Sequence, residues 1–185
     1  MRSISRRHFV ITAAALPLVS ACGNGVNSTG AQRIDGRVDS ALEFMNREVP
    51  GAQELSANAA GVLIMPLITE AGFGLGGSYG RGALRINGVT VDYYAAAAGT
   101  FGLQIGAQQY AHALFFMTDA ALQDFRNSNG WAAGGDIRYA FNDRGGMLGV
   151  DTTTLTDPVI AIVFGQAGMI LGATLEGTRY TRILP

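Results

Sequence analysis

Few side chains in this sequence belong to the types that perform catalysis or bind metal ions. Its 185 residues include one cysteine and two histidines, and His112 is the only histidine beyond the N-terminal segment. One imidazole and one thiol do not make a zinc site, and a serine nucleophile would need His112 as its base, without the usual nucleophile elbow. Four aspartates lie in turns but lack the spacing of a calcium loop: Asp136, Asp143, Asp151 and Asp157. We therefore expect no catalytic residue, metal or cofactor and interpret His112 as an ordinary strand residue; paired-carboxylate catalysis stays open, although no motif points to it.

The side chains best suited to binding are arginines, because the chain has no lysine and all 13 basic residues are arginine. Arg81 and Arg85 lie four positions apart in an alternating segment, so they would share one face of a strand. Arg138 and Arg144 are candidate neighbours from later in the chain. A guanidinium group matches the geometry of phosphate oxygens. These four arginines are the candidate lipid-headgroup site. The alternative is that they are ordinary solvated side chains on the protein surface.

The N-terminal segment is predicted to be a signal peptide that ends at a lipidation site. An apolar run over residues 9–19 follows three arginines and is too short to span a bilayer. The tetrapeptide VSAC resembles a bacterial lipobox, in which a peptidase cuts before Cys22 and the thiol carries a diacylglycerol with fatty acids such as palmitate. A lone cysteine cannot form an internal disulfide, so lipidation explains it better than an unpaired thiol. Residues 1–21 are therefore assigned to the signal peptide, and residues 22–32, CGNGVNSTGAQ, to a polar tether.

The residues in and next to this signal peptide indicate the export route and the destination of the protein. SRRHFV, residues 5–10, resembles a twin-arginine motif, but paired arginines also occur in general secretion signals, so both routes stay open. Gly23 follows the cysteine where aspartate could stand, which by analogy with lipoprotein sorting in Gram-negative bacteria indicates the outer membrane, facing the periplasm. Without the signal peptide, ten arginines oppose 14 acidic residues, giving a net charge of −4. That charge argues against nucleic acid as a partner.

A glycine-rich stretch, AGFGLGGSYGRGALRI over residues 71–86, has an alternating pattern. Its even positions are nearly bare until Leu84: Gly72, Gly74, Gly76, Ser78, Gly80 and Gly82. Since strand side chains alternate between faces, the pattern predicts a strand with one bare face. Glycines inside a strand cost stability, so the bare face indicates tight curvature, a bulge, or close approach of another backbone or a ligand. A flexible glycine loop is the alternative. Residues 101–106 repeat the scheme of one bulky and one small face.

The remaining patterns predict an α+β fold over residues 33–185, as a single domain. Apolar residues at helical spacing over residues 34–49 predict an amphipathic helix ended by Pro50, which we expect to pack on its own domain and not on a membrane. A short second helix could follow at residues 53–58, and Asp119 is the expected N-cap of a further helix. Strands are predicted over these ranges, with Pro66 closing the first and Asn87-Gly88 forming a turn: 61–65, 71–86, 89–98, 100–108, 110–117, 131–141, 158–164 and 169–175. The predicted fold is mainly antiparallel β, a strongly curved sheet or open barrel with the N-terminal helix and one further helix packed on it.

Several of these segments together resemble a known family. Between residues 61 and 183 the chain resembles a SYLF domain of the bacterial lipoprotein type. The matching segments are VLIMPLITEAGFGLGGSYGRG (62–82), FGLQIGAQ (101–108), LFFMTDAALQDFR (114–126), GW (130–131), DTT (151–153), TDPVIAIVFGQAGMI (156–170) and TLEGTRYTRI (174–183). Glu70 departs from the family, whose members often have a lysine before the AGF motif.

The resemblance implies a function as well as a fold. SYLF domains of eukaryotes are implicated in binding phosphoinositide-rich membranes and, in some members, actin; bacterial members are described as lipid-binding, with no established reaction. The basic N-terminal region linked to those activities in eukaryotes has no counterpart here, so actin binding is not expected. The expected protein is a non-catalytic, lipid-anchored envelope protein that binds phospholipid or membrane headgroups. The alternative is a structural or interaction module, tethered by its lipid, that binds another envelope protein.

Overall fold

The structure is a computed structural model that describes residues 28–134, 137–141, 157–168 and 175–185. Three helices and six strands are formed within these residues. In chain order they are α1 (Thr29–Glu48), α2 (Ala52–Asn58), β1 (Gly61–Ile86), β2 (Val89–Phe116), α3 (Asp119–Asn127), β3 (Trp131–Ala132), β4 (Ile137–Phe141), β5 (Val159–Gly168) and β6 (Arg179–Ile183). No helix of the described residues is long and apolar enough to cross a membrane.

The strands form one strongly curled, mainly antiparallel half-barrel, which confirms the predicted fold class. Its centre is a long hairpin of β1 and β2, joined at Asn87 and Gly88, whose φ angles of 51° and 77° are those of a tight hairpin turn. The other edge of β2 pairs with β6 near its beginning and with β5 near its end. β4 joins β5 in parallel, and β3 joins β6, so these two short strands lie at opposite ends of the sheet.

The hairpin strands are longer than the sequence predicts. β1 and β2 are continuous over 26 and 28 residues, where short separate strands were expected. Pro66 does not close β1, because the register shifts between Met65 and Ile68 and leaves the proline out of the pairing with β2. A bulge is one of the few places where a strand tolerates proline. The single strand predicted over 131–141 is likewise wrong, since β3 and β4 occupy its two ends. Residues 169–174 of the last predicted strand lie outside the described residues.

The predicted close approach at the glycine-rich stretch is confirmed, and it comes from β1 itself. A methyl group added at Gly80 would overlap the carbonyl oxygen of Leu67, and one at Gly82 would overlap that of Ile64. The bare face of the second half of β1 therefore lies directly on the backbone of the first half. The alternative of a flexible loop is wrong, and the glycines are required by the tight curl of the sheet.

Two apolar clusters stabilise the domain, one on each face of the sheet. One cluster centres on the aromatic rings of Phe125, Phe116 and Tyr180 and joins α3 to the sheet. The other lies between the sheet and the first two helices and includes Val38 and Met45 of α1, both fully buried. α1 thus packs on its own domain.

Two helix starts differ from the prediction because of hydroxyl caps. The Ser28 side chain accepts a hydrogen bond from the Ala31 amide (3.4 Å) and donates one to the Pro185 carbonyl (2.7 Å). α1 therefore begins at Thr29, inside the segment assigned to the tether. The cap of α3 is Thr118 instead of Asp119, since its Oγ1 accepts from the Ala121 amide at 3.2 Å. The short helix predicted after Pro50 is present as α2.

Candidate functional site

An open apolar groove lies between α1 and the sheet. It encloses about 740 Å³. Its apolar lining comprises Ala41, Phe44, Pro66, Leu67, Tyr110, Ala111 and Phe164. Phe44 of α1 stacks on Phe164 of β5, with ring centroids 6.2 Å apart, and yet 38% of Phe44 and 37% of Leu67 remain exposed. Exposed large apolar side chains grouped in a concavity are a common feature of binding sites.

The groove stays open because the helix residues above it are small. Gly36 and Ser40 lie one turn apart on α1 and both line the groove. A methyl group added at Gly36 would meet no atom within 4 Å. Larger side chains here would reach over the apolar floor, so the sequence of α1 determines the groove's width.

A second cavity, of about 320 Å³, adjoins the groove and carries its positive charge. Both cavities are lined by Arg33 and Arg37 of α1 and by Pro66 and Leu67, and the second adds Arg81 of β1. No aspartate or glutamate of the described residues lines either cavity. We name Arg33, Arg37 and Arg81 the arginine cluster. Three guanidinium groups around one cavity produce a local positive potential that attracts an anion.

The arginine cluster is largely unpaired within the described part of the chain. Arg33 donates hydrogen bonds only to Thr29, from Nε to its carbonyl at 3.3 Å and from Nη2 to its hydroxyl at 3.1 Å. Arg37 and Arg81, both exposed, have no hydrogen bond or ion pair there. The charges of all three are therefore left for a ligand, to which each guanidinium can donate two parallel hydrogen bonds.

The structure separates Arg81 from Arg85, two of the four arginines that the sequence grouped. Arg81 belongs to the cluster. Arg85 does not, because its guanidinium donates to Asp39 Oδ1 at 2.6 Å and to the Gly88 carbonyl at 3.2 Å. Arg138 lies on β4, beyond β5, and its side chain is not described. Arg144 and the predicted lipidation residue Cys22 lie outside the described residues.

A polar network holds α1 in place over the sheet. Asp35 accepts hydrogen bonds from Thr90 Oγ1 (2.8 Å) and Tyr93 Oη (2.7 Å), both at the start of β2, and lies 3.9 Å from Arg85. Burial, followed by this hydrogen bond, raises the pKa of Tyr93 to about 12, so the phenol remains a donor. The network fixes the distance between the arginines of α1 and Arg81 on β1.

Sequence reasoning missed two members of the cluster, Arg33 and Arg37, because the prediction for this helix rested on its apolar positions. A signal was available in their spacing. Arg33, Gly36, Arg37, Ser40 and Phe44 lie at positions i, i+3, i+4, i+7 and i+11 and so form one stripe along α1. A stripe that is basic at one end, small in the middle and aromatic at the other is unlike an ordinary solvated face.

The one histidine of the described residues lies in the core, away from this site. His112 is 1% exposed, and its Nε2 lies 2.8 Å from Tyr180 Oη. Its Nδ1 is buried without a hydrogen-bond partner among the described residues, and burial lowers the pKa of His112 to about 3. Glu70, also buried, accepts a hydrogen bond from Gln108 Nε2 at 2.8 Å. These contacts give His112 and Glu70 structural partners within the half-barrel.

Part of the chain matches a known protein family. Residues 97–182, from the middle of β2 to β6, match the model of the Ysc84 (SYLF) domain, described as a Las17-binding protein actin regulator. No curated protein matches the chain.

Proposed function

This chain is a SYLF-domain family protein, and from that premise we propose that it binds the anionic headgroups of membrane lipids through the arginine cluster. The SYLF domain is a binding domain and not a known enzyme family. The observation that carries the proposal is the convergence of Arg33, Arg37 and Arg81 on one cavity that no carboxylate of the described residues lines. A phosphate headgroup supplies both the charge and the acceptors that these side chains lack.

The family description names Las17 and actin regulation, but the chemistry of this chain favours a lipid. The chain beyond the predicted signal peptide carries a net charge of −4, with ten arginines against 14 acids, so its positive potential is confined to the local cluster. A local site of that kind suits a small anionic headgroup. The actin of a eukaryotic cytoplasm would also be absent from the bacterial envelope to which the signal peptide points.

Vesicle flotation with the chain from Gly23 to Pro185 tests the proposal. Vesicles that contain anionic phospholipid should carry the protein to the top of the gradient, and neutral vesicles should not. Replacing Arg33, Arg37 and Arg81 together by glutamine should weaken binding about a hundredfold, since each cation near an anionic surface contributes roughly 1 kcal/mol. Added salt should weaken wild-type binding in the same direction.

The control is Arg179→Gln, which removes one exposed arginine on β6 that lines neither cavity. It should leave flotation within a few-fold of wild type. If the wild-type chain stays with the buffer at every anionic composition, lipid binding is wrong. If the triple variant floats like Arg179→Gln, lipid binding stands but the arginine cluster is not its site.

We further propose that the chain is an exported lipoprotein, anchored through Cys22 in the outer membrane and facing the periplasm. The support is the lipobox-like VSAC and the presence of the chain's only cysteine at its end. Acyl chains anchor by burying methylene groups at about 0.8 kcal/mol each, so several chains hold the protein firmly. Such an anchor would keep the arginine cluster close to headgroups at all times.

The Cys22→Ser variant should lose fatty-acid labelling and membrane retention completely, because serine has no thiol to acylate. Gly23→Asp serves as the control, since it keeps the thiol and should keep labelling while moving protein towards the inner membrane. Labelling that survives in Cys22→Ser would exclude Cys22 as the acylated residue.

A further inference from the structure

We propose that the apolar groove binds the hydrocarbon chain of a single-chain anionic lipid whose phosphate lies in the arginine cluster. The inference rests on the proposed function and deepens it, because it names the ligand class and the residues that receive each part. It implies that the protein takes one lipid molecule into a defined site, in addition to touching a membrane surface.

The hydrocarbon tail would cover the unfilled apolar surface between α1 and the sheet. Phe44 and Leu67 are large side chains left more than a third exposed, and both line the groove. The volume of about 740 Å³ falls within the range of ligand pockets, about 300 to 1,000 Å³. Covering these side chains with hydrocarbon would remove their apolar area from water, which no described residue of the chain does.

The phosphate head would lie at the positively charged end of the same groove. The two cavities share four lining residues: Arg33, Arg37, Pro66 and Leu67. A ligand lying along the groove would therefore pass from apolar contacts to guanidinium groups without leaving the protein. This order of surfaces is complementary to an amphiphile with an anionic head, and three unpaired cations favour a dianionic phosphate monoester over a single carboxylate.

The shape of the groove favours one chain over two. Its apolar lining is a single strip between one stripe of α1 and the sheet, so one hydrocarbon chain can follow it. A diacyl lipid would leave its second chain in water at this site. A monoacyl glycerol phosphate has the head, the charge and the single tail that the lining complements.

Calorimetric titration of the chain from Gly23 to Pro185 with monoacyl glycerol phosphates tests the inference, with chains from hexanoyl to myristoyl kept below micelle-forming concentrations. Affinity should rise roughly fourfold for each methylene added until the groove is full. Glycerol 3-phosphate alone should bind weakly, and a neutral monoacylglycerol of the same chain should bind more weakly than its phosphate. The stoichiometry should be one lipid per chain.

Gly36→Leu is the variant that blocks the tail without touching the cluster. Its side chain would enter open space above the apolar floor. It should abolish the rise of affinity with chain length and leave vesicle flotation unchanged. Gly36→Ala is the matched control, because both substitutions replace a helical glycine by a better helix former but alanine is too short to cover the groove. It should titrate like wild type.

The outcomes separate this inference from the proposed function. Flat affinity across the chain series, with flotation intact, would overturn the groove as a lipid-tail site and leave headgroup binding standing. Gly36→Leu that titrates like Gly36→Ala would overturn it as well, as would assembly of two protein chains on the groove face in place of lipid uptake. Loss of wild-type flotation together with a normal chain-length series would instead contradict binding at a membrane surface and leave the uptake of single lipid molecules standing.

Discussion

Gly82→Ala should lower the free energy of unfolding by about 3 kcal/mol or more, a large part of the stability of a small domain. The added methyl group would overlap the carbonyl oxygen of Ile64 and lie 2.6 Å from Met65 Sδ. A carbonyl of a paired strand cannot rotate away without breaking the ladder, and Met65 is fully buried, with little room to move. The strand would therefore have to uncurl, which would separate the two halves of β1.

Gly99→Ala is the control for this change, because it lies on β2 and its added methyl group would meet nothing within 4 Å. That substitution should be neutral or stabilise by up to about 1 kcal/mol, since it reduces the entropy of the unfolded chain. Urea unfolding followed through the fluorescence of Trp131, the only tryptophan, measures both variants. Equal midpoints for Gly82→Ala and Gly99→Ala would show that the two halves of β1 do not touch as described.

The close packing at Gly82 could be predicted from sequence because its signal is local. Glycine at every second position of a strand has few explanations, and close approach of a backbone is one of them. The sequence could not show which backbone approaches, since β1 folds onto its own first half only after bulges bend it. The same bulge explains why Pro66 was wrongly predicted to end the first strand, because a proline normally marks the end of a central strand.

The candidate site was less predictable because it joins residues distant in sequence. Arg81 was identified from its strand, but its neighbours Arg33 and Arg37 belong to a helix that lies nearly fifty residues earlier in the sequence. Arg85 seemed equivalent to Arg81 by spacing. The position of α1 makes them different, because Asp39 reaches one and not the other. Periodicity predicts which residues share a face of one element, whereas charge pairing between elements depends on how they are docked.

Acidification from pH 7 to pH 5 should lower the free energy of unfolding by about 2 kcal/mol through His112 alone, and by more at lower pH. Burial lowers the pKa of His112 to about 3, whereas an unfolded chain has it near 6.5. Between these values the unfolded chain binds a proton that the folded chain excludes. The contribution of His112 to the free energy of unfolding is therefore fully present above pH 6.5 and is lost as the pH decreases. The cause is desolvation, because the ring is 1% exposed and no described residue offers its Nδ1 a partner that would stabilise a cation.

His112→Gln isolates this contribution, because glutamine can keep a hydrogen bond with Tyr180 but does not titrate. The test is the change in the free energy of unfolding between pH 7 and pH 5, which should be about 2 kcal/mol smaller in His112→Gln than in wild type. The chain from Gly23 contains no other histidine, so ring resonances followed by NMR report His112 directly. They should stay unshifted in the folded protein down to pH 5. A midpoint near 6.5 would mean that His112 reaches solvent, which would restore it as a candidate for chemistry and contradict its place in the core.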